Sequence, residues 1–216
     1  IPDVVDIETD TVASYVGRYE LVGNAGAIIV TAEGNALVLE AEGQRAFTFL
    51  HSVEPIDVGR LERLNRILDG IMAACRTGNF VPLEKAYKGR VSSERLSQRW
   101  KEMIGNIQER LGSLRRHEVL GTARMEERDE TVVHFLFERG SENRTYVWEK
   151  SAAARLLGMS MRGLSTGLKF VPVADNAFAS WDGGIRPSKP LRFEKGSGGR
   201  WRLQLGSGPL TIEGRQ

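Results

Sequence analysis

Hydrophobic and polar positions alternate with period two at both ends of this chain and recur with period 3.6 in its middle. Ala27-Ile28-Ile29-Val30-Thr31 is rich in β-branched residues, Glu33-Gly34-Asn35 interrupts it, and Ala36-Leu37-Val38-Leu39-Glu40 resumes the alternation. Glu42-Gly43-Gln44 marks another turn before Ala46-Phe47-Thr48-Phe49-Leu50, which we read as a further strand. Short runs separated by short breaks predict an antiparallel meander. Toward the C-terminus the same alternation returns in Leu168-Lys169-Phe170-Val171-Pro172, Leu191-Arg192-Phe193 and Trp201-Arg202-Leu203.

Pro55 ends the first pattern. Beyond it Leu61, Leu64, Leu68, Ile71, Met72 and Cys75 recur at helical spacing as far as Gly78. A short helix is expected over 81–87, starting near Pro82. Leu96, Trp100, Met103, Ile104, Ile107 and Leu111 then share one face of a third helix, capped by Ser92 or Ser93 and ended by Gly112. Strand alternation resumes at Arg115. Val133, Phe135 and Phe137 alternate with Val132, His134 and Leu136, and Tyr146 and Trp148 alternate with Thr145 and Val147. Residues 156–161 read as one more strand.

The pattern predicts an α+β protein. An antiparallel β-barrel-like domain is formed by both termini, residues 1–53 together with 164–216. It is interrupted by an inserted module over 54–163, three helices followed by a curved antiparallel sheet of about four strands. The order of elements in the inserted module is similar to the nuclear-transport-factor-2-like cone, in which helices and a bent sheet enclose a pocket.

The end segments carry a second resemblance. Tyr15-Val16-Gly17-Arg18-Tyr19-Glu20-Leu21, then Ile29-Val30-Thr31-Ala32-Glu33-Gly34-Asn35-Ala36-Leu37, resembles the small accessory β domain that lies C-terminal to many β-lactamase-like serine hydrolases. That domain closes with segments similar to Phe170-Val171-Pro172 through Phe178, Leu191-Arg192-Phe193-Glu194, a Trp/Leu strand and a terminal glycine hairpin. Here the closing pieces follow a detour of about 110 residues, which a loop between strands tolerates because closure entropy grows slowly with length. The resemblance implies an accessory role, a serine hydrolase catalytic domain in cis as partner, and a periplasmic or extracellular setting.

Composition narrows the partners. The 216 residues suffice for one large domain or two small ones, and 41% hydrophobic with 27% charged content is ordinary for a folded protein. Basic and acidic residues number 30 and 28 and interleave, as in Arg60-Leu61-Glu62-Arg63. Interleaving weakens the long-range field that phosphate binding requires, so no nucleic acid is expected as a partner. Arg110, Arg115 and Arg116 read as charge at a helix end. One cysteine, Cys75, excludes an internal disulfide and falls on an apolar helical stripe, where a buried, inert thiol is expected. No apolar run reaches the roughly 20 residues of a membrane span. The chain begins at Ile1 without a methionine or a basic-then-apolar leader. We therefore expect a processed mature protein or a piece of a longer one, and cysteine scarcity alone fits the cytosol as well as the periplasm.

Chemical motifs are sparse. No serine is followed by lysine three residues later, and neither Tyr-x-Asn nor Lys-Thr-Gly occurs, so the serine hydrolase machinery is missing. Gly163-Leu164-Ser165-Thr166-Gly167 matches a nucleophile elbow, but that motif needs a following helix and a later histidine, and no histidine follows His134. It reads as a hinge. Gly196-Ser197-Gly198-Gly199 reads as a hairpin turn rather than a phosphate cradle. Asn143-Arg144-Thr145 fits a glycosylation acceptor in a turn. His51, His117 and His134 lack metal-ligand spacing, and neither a metal nor a cofactor is expected.

The expected role is a non-catalytic binding region, taking a small apolar ligand or the partner catalytic domain. Its pocket candidates are Trp100, His117, His134, Phe135, Phe137, Tyr146 and Trp148. Two rivals stand beside it. One is a small isomerase- or hydratase-like enzyme in which His117 and His134 face each other and pair with Glu118 or Asp129. The other is a purely structural module, a spacer or the surface of a homodimer.

Overall fold

Alternation in the N-terminal segment buries one face of a three-stranded antiparallel meander. A short helix that the alternation does not announce, α1 (Thr9–Ser14), leads into β1 (Gly17–Leu21), β2 (Ala27–Glu33) and β3 (Ala36–Glu42). Tyr19, Leu21, Ile28, Val30, Leu37 and Leu39 lie on the buried face, each 4% exposed or less. The computed structural model describes residues 3–23, 26–55, 57–160, 166–181, 189–196, 199–206 and the backbone of 212–215. They fall into two compact units, Ile1–Ile56 with Ser165–Gln216, and Asp57–Leu164. The chain enters β2 through Gly26, whose φ of +99° would place a Cβ 2.3 Å from the Glu42 carbonyl oxygen. A side chain there would collide with backbone.

The strand expected over Ala46-Phe47-Thr48-Phe49-Leu50 is instead a helix, α2 (Gln44–His51). Ala46, Phe47, Leu50 and His51 are its buried apolar and aromatic positions, a spacing that also fits one helical face. A short apolar run carries both periods, and the tertiary setting decides between them. The Lys189 ammonium donates to the carbonyls of Phe49, Leu50 (3.2 Å) and Ser52 (3.0 Å), which closes the α2 C-terminus with a cation.

In the second unit α3 (Val58–Arg76) starts at Asp57, whose side chain accepts from the Arg60 amide at 3.0 Å. Its stripe of Leu61, Leu64, Leu68, Ile71, Met72 and Cys75 is buried. The helix packs across β4 (Leu114–Arg124) and β5 (Arg128–Phe137). Between them in sequence come α4 (Val81–Ala86), with Pro82 in its first turn, and α5 (Ser93–Leu111), capped by the Ser92 hydroxyl. Strand β5 pairs on its other side with β6 (Gly140–Glu149), and β6 with β7 (Leu156–Ser160). All pairings are antiparallel, in the order β4-β5-β6-β7. Register breaks at Leu114/Arg116 and Val119/Gly121 in β4 bend that strand.

The C-terminal segment returns as β8 (Gly167–Ala174), β9 (Ala177–Trp181), β10 (Pro190–Lys195), β11 (Trp201–Leu205) and β12 (Ile212–Arg215). Strand β8 pairs with β3, Leu37 opposite Phe170, and β12 pairs with β1, Leu21 opposite Gly214. These two seams close an antiparallel barrel in the order β1-β12-β11-β10-β9-β8-β3-β2. Closure removes the exposed edges that a short meander would otherwise carry. The interior is filled. Phe170, Phe178, Leu191, Phe193, Leu203 and Leu205 join the meander residues, each at most 1% exposed. Tyr15 stacks on Phe193 with centroids 4.4 Å apart, and its hydroxyl donates to the Asp175 carbonyl at 2.9 Å. Among the described residues these interior-facing side chains pack against one another as one core.

Candidate functional site

The second unit contains a cavity of about 360 Å³ between α4, α5 and the β6–β7 edge. Its walls are Leu83, Tyr87, Val91, Leu96, Arg99 and Trp100, completed by Met103, Tyr146 and the Leu157-Gly158-Met159 stretch of β7. The helical spacing of Leu96, Trp100 and Met103 lays them along one side of α5. Tyr146 and Met159 are cross-strand partners and so present to the same face of the sheet. The Ser93 hydroxyl donates to the Glu84 carboxylate and ties α4 to α5. Lys88, at φ +53°, turns the chain just after Tyr87.

Trp100 is steadied by two aromatic neighbours, Phe135 at 6.0 Å and Phe80 at 6.3 Å between ring centroids, both edge-on. Burial raises the Tyr146 phenol pKa above its ordinary value. Cys75 and Tyr87 push it further, and the Arg144 guanidinium opposes the rise. Burial likewise raises Tyr87, with Arg99 opposing. Both phenols therefore keep their protons at neutral pH and are able to donate to a ligand. Among the described residues, no carboxylate and no imidazole lines the cavity.

The sequence candidates separate. Trp100 and Tyr146 line the cavity, and Phe135 supports Trp100 from behind. Phe137 and Trp148 are core residues, 3% and 0% exposed, and the Trp148 indole donates to Thr131 Oγ1 at 2.9 Å. The expectation that His117 and His134 face each other is overturned by register. His117 sits opposite Phe135, and His134 opposite Glu118, so the imidazoles project from opposite faces of the sheet. His117 Nε2 lies 3.1 Å from Asp69 Oδ1 of α3. His134 Nδ1 lies 2.7 Å from Asn143 Oδ1. Asp129 is no partner for either: its carboxylate accepts from Arg60 Nε at 2.9 Å and from Arg124 Nε.

Other motifs find their places. Asn143-Arg144-Thr145 lies within β6, not in a turn, with Thr145 1% exposed, so the acceptor pattern is part of a sheet. Gly163, Leu164 and Ser165 of the elbow-like motif lie outside the described residues; Gly167 begins a strand where an elbow needs a helix. Ser197 and Gly198 also lie outside them, while Gly196 N donates to Arg200 O at 2.8 Å between the paired strands β10 and β11. Arg110 pairs with Glu142 at 2.9 Å and Arg115 with Glu138 at 3.3 Å, which consumes most of the local basic charge. Cys75 is buried, and burial pushes its thiol up to about 12. Among the described residues no group of three or more His, Cys, Asp or Glu is placed to hold a metal, and no helix is long and apolar enough to cross a membrane.

Sequence reasoning did not single out Tyr87, Arg99, Leu157 or Met159. Arg99 flanks the apolar stripe of α5, and Leu157 and Met159 are exposed apolar residues on a strand (48% and 38%), a signal that could have marked them. Comparison with known proteins found no matching family model, no matching curated protein and no matching solved structure.

Proposed function

We propose that the chain is a binding region whose 57–164 unit takes a small, mainly apolar ligand, and that its barrel is an accessory domain of the kind attached to β-lactamase-like serine hydrolases. The observation that carries the ligand reading is the cavity of about 360 Å³ walled by Leu83, Leu96, Trp100, Met103 and Met159 with few polar groups. Ligand sites are typically concave, apolar and punctuated by a handful of polar atoms, with volumes of roughly 300–1,000 Å³. In this reading the three helices and bent sheet are the cone of a nuclear-transport-factor-2-like module. The continuous aromatic and aliphatic core of the barrel supports a structural role for the terminal unit.

The neutral fluorophore 1-N-phenylnaphthylamine tests the ligand reading. Saturable enhancement of its emission by the intact chain is expected, and Met103→Trp, which adds bulk to the cavity wall, should weaken it. No saturable enhancement, or enhancement indifferent to Met103→Trp, would overturn the assignment. The accessory reading is tested by the coding sequence upstream of Ile1: a domain carrying Ser-x-x-Lys and Tyr-x-Asn is expected, and an unrelated domain there would end it.

A further inference from the structure

We infer that the ligand is a small monocarboxylate on an apolar body, with the Arg99 guanidinium as its counter-ion and the Tyr87 and Tyr146 hydroxyls as donors to its oxygens. The inference rests on the cavity being the ligand site. Its basis is a set of polar groups left without internal partners. Arg99 lines the cavity and makes no ion pair or hydrogen bond among the described residues. The acid one helical turn away, Glu102, accepts from Gln98 Nε2 at 3.0 Å. Arg95, four residues before Arg99 on α5, adds a second positive charge to that side of the helix.

The two phenols point the same way. Tyr146 is 3% exposed, and its hydroxyl, which makes no hydrogen bond among the described residues, is not among the fully buried polar atoms and so stays available as a donor on the cavity side. Tyr87 lines the same cavity and is close enough to act electrostatically on Tyr146. One cation and two neutral phenols therefore share the lining, and among the described residues the lining includes no acid. A carboxylate fits this set: it accepts only, takes a planar guanidinium through two parallel hydrogen bonds, and has lone pairs left for hydroxyl donors. A cationic head group would meet Arg99 without a compensating charge. Leu83, Leu96, Trp100 and Met103 suit an alkyl or aryl body.

The test is calorimetric titration of the full chain at low salt with octanoate, 1-octanol and 3-phenylpropanoate. Octanoate is expected to bind about tenfold or more tightly than octanol, the scale of one charge-assisted hydrogen-bonded pair. Arg99→Gln should erase that preference by lowering octanoate affinity about tenfold or more; Arg99 is exposed, so the variant keeps the fold. Whichever acid binds more tightly assigns the body as alkyl or aryl. Equal binding of octanoate and octanol, or a preference that survives Arg99→Gln, overturns the carboxylate assignment while the cavity remains a ligand site. Failure of all three, together with failure of the neutral fluorophore, overturns the ligand reading itself.

Discussion

Arg60 and Asp129 form a buried ion pair, Nε to Oδ2 at 2.9 Å, with the two side chains 8% and 0% exposed. The pair joins α3 to β5. Arg60 also donates to the carbonyls of Glu149 (2.7 Å) and Ser151 (2.8 Å), so one guanidinium spans the helix, the start of β5 and the end of β6. Arg124 engages the same carboxylate from β4. An acid held by two arginines is structural, and this is why Asp129 does not serve a histidine.

Asp129→Asn should therefore cost the 57–164 unit about 3–5 kcal/mol, because it strips the counter-charge from a buried guanidinium. Urea denaturation followed by tryptophan fluorescence measures it. A midpoint within error of the parent chain would show that the pair contributes nothing.

A second buried chain runs from Trp148 Nε1 to Thr131 Oγ1 (2.9 Å), on to Thr122 Oγ1 (2.6 Å) and then to Asn65 Oδ1 (2.6 Å). Thr131→Val preserves shape and removes the central hydroxyl. The Trp148 N–H then loses its acceptor, at a cost of about 1–3 kcal/mol. Thr131→Ser should recover most of that loss, which separates the hydrogen bond from packing.

Lys189→Met should destabilise the barrel unit by about 1–3 kcal/mol, since the carbonyls at the end of α2 lose a charged donor. The check is hydrogen exchange at the amides of Phe47 to Leu50. Faster exchange there, against unchanged protection in β10 and β11, is the expected result.

Cys75 gives a pH dependence. Its thiol is raised from an ordinary 9.0 to about 12 by burial. Below about pH 9 the folded and unfolded chains both keep the proton and the contribution is complete. As pH rises from about 9 toward about 12 the unfolded chain ionises while the folded one does not, so this contribution is lost. The stability difference between the parent chain and Cys75→Ala should shrink between pH 8 and pH 10.5. Ellman's reagent at pH 8 should label Cys75 only after urea is added; rapid labelling of the native chain would contradict its burial.

Much of the architecture was legible because its signals are local. The stripe from Leu61 to Cys75, the cap at Ser92 and the alternation of Val133, Phe135 and Phe137 each lie within one element, and each element forms as its periodicity indicates. The run from Ala46 to Leu50 failed for the converse reason: five residues satisfy both periods, and burial against the barrel core with Lys189 at the helix end selects α.

The candidate site depended on what no single segment encodes. The sequence by itself determined an α+β chain with β segments at both ends, helices between them, apolar faces on each and no Ser-x-x-Lys motif, because alternation and periodicity follow from side-chain chemistry along one strand or helix. Only the tertiary structure decided which faces meet. Pairing register put His117 and His134 on opposite sides of the sheet, and packing of α4 and α5 against the β6–β7 edge left a space that Tyr87, Arg99 and Tyr146 share. Side-chain direction in a strand reverses with every residue, so a bulge or a one-residue shift reassigns a whole face, and that shift is fixed by partners distant in sequence.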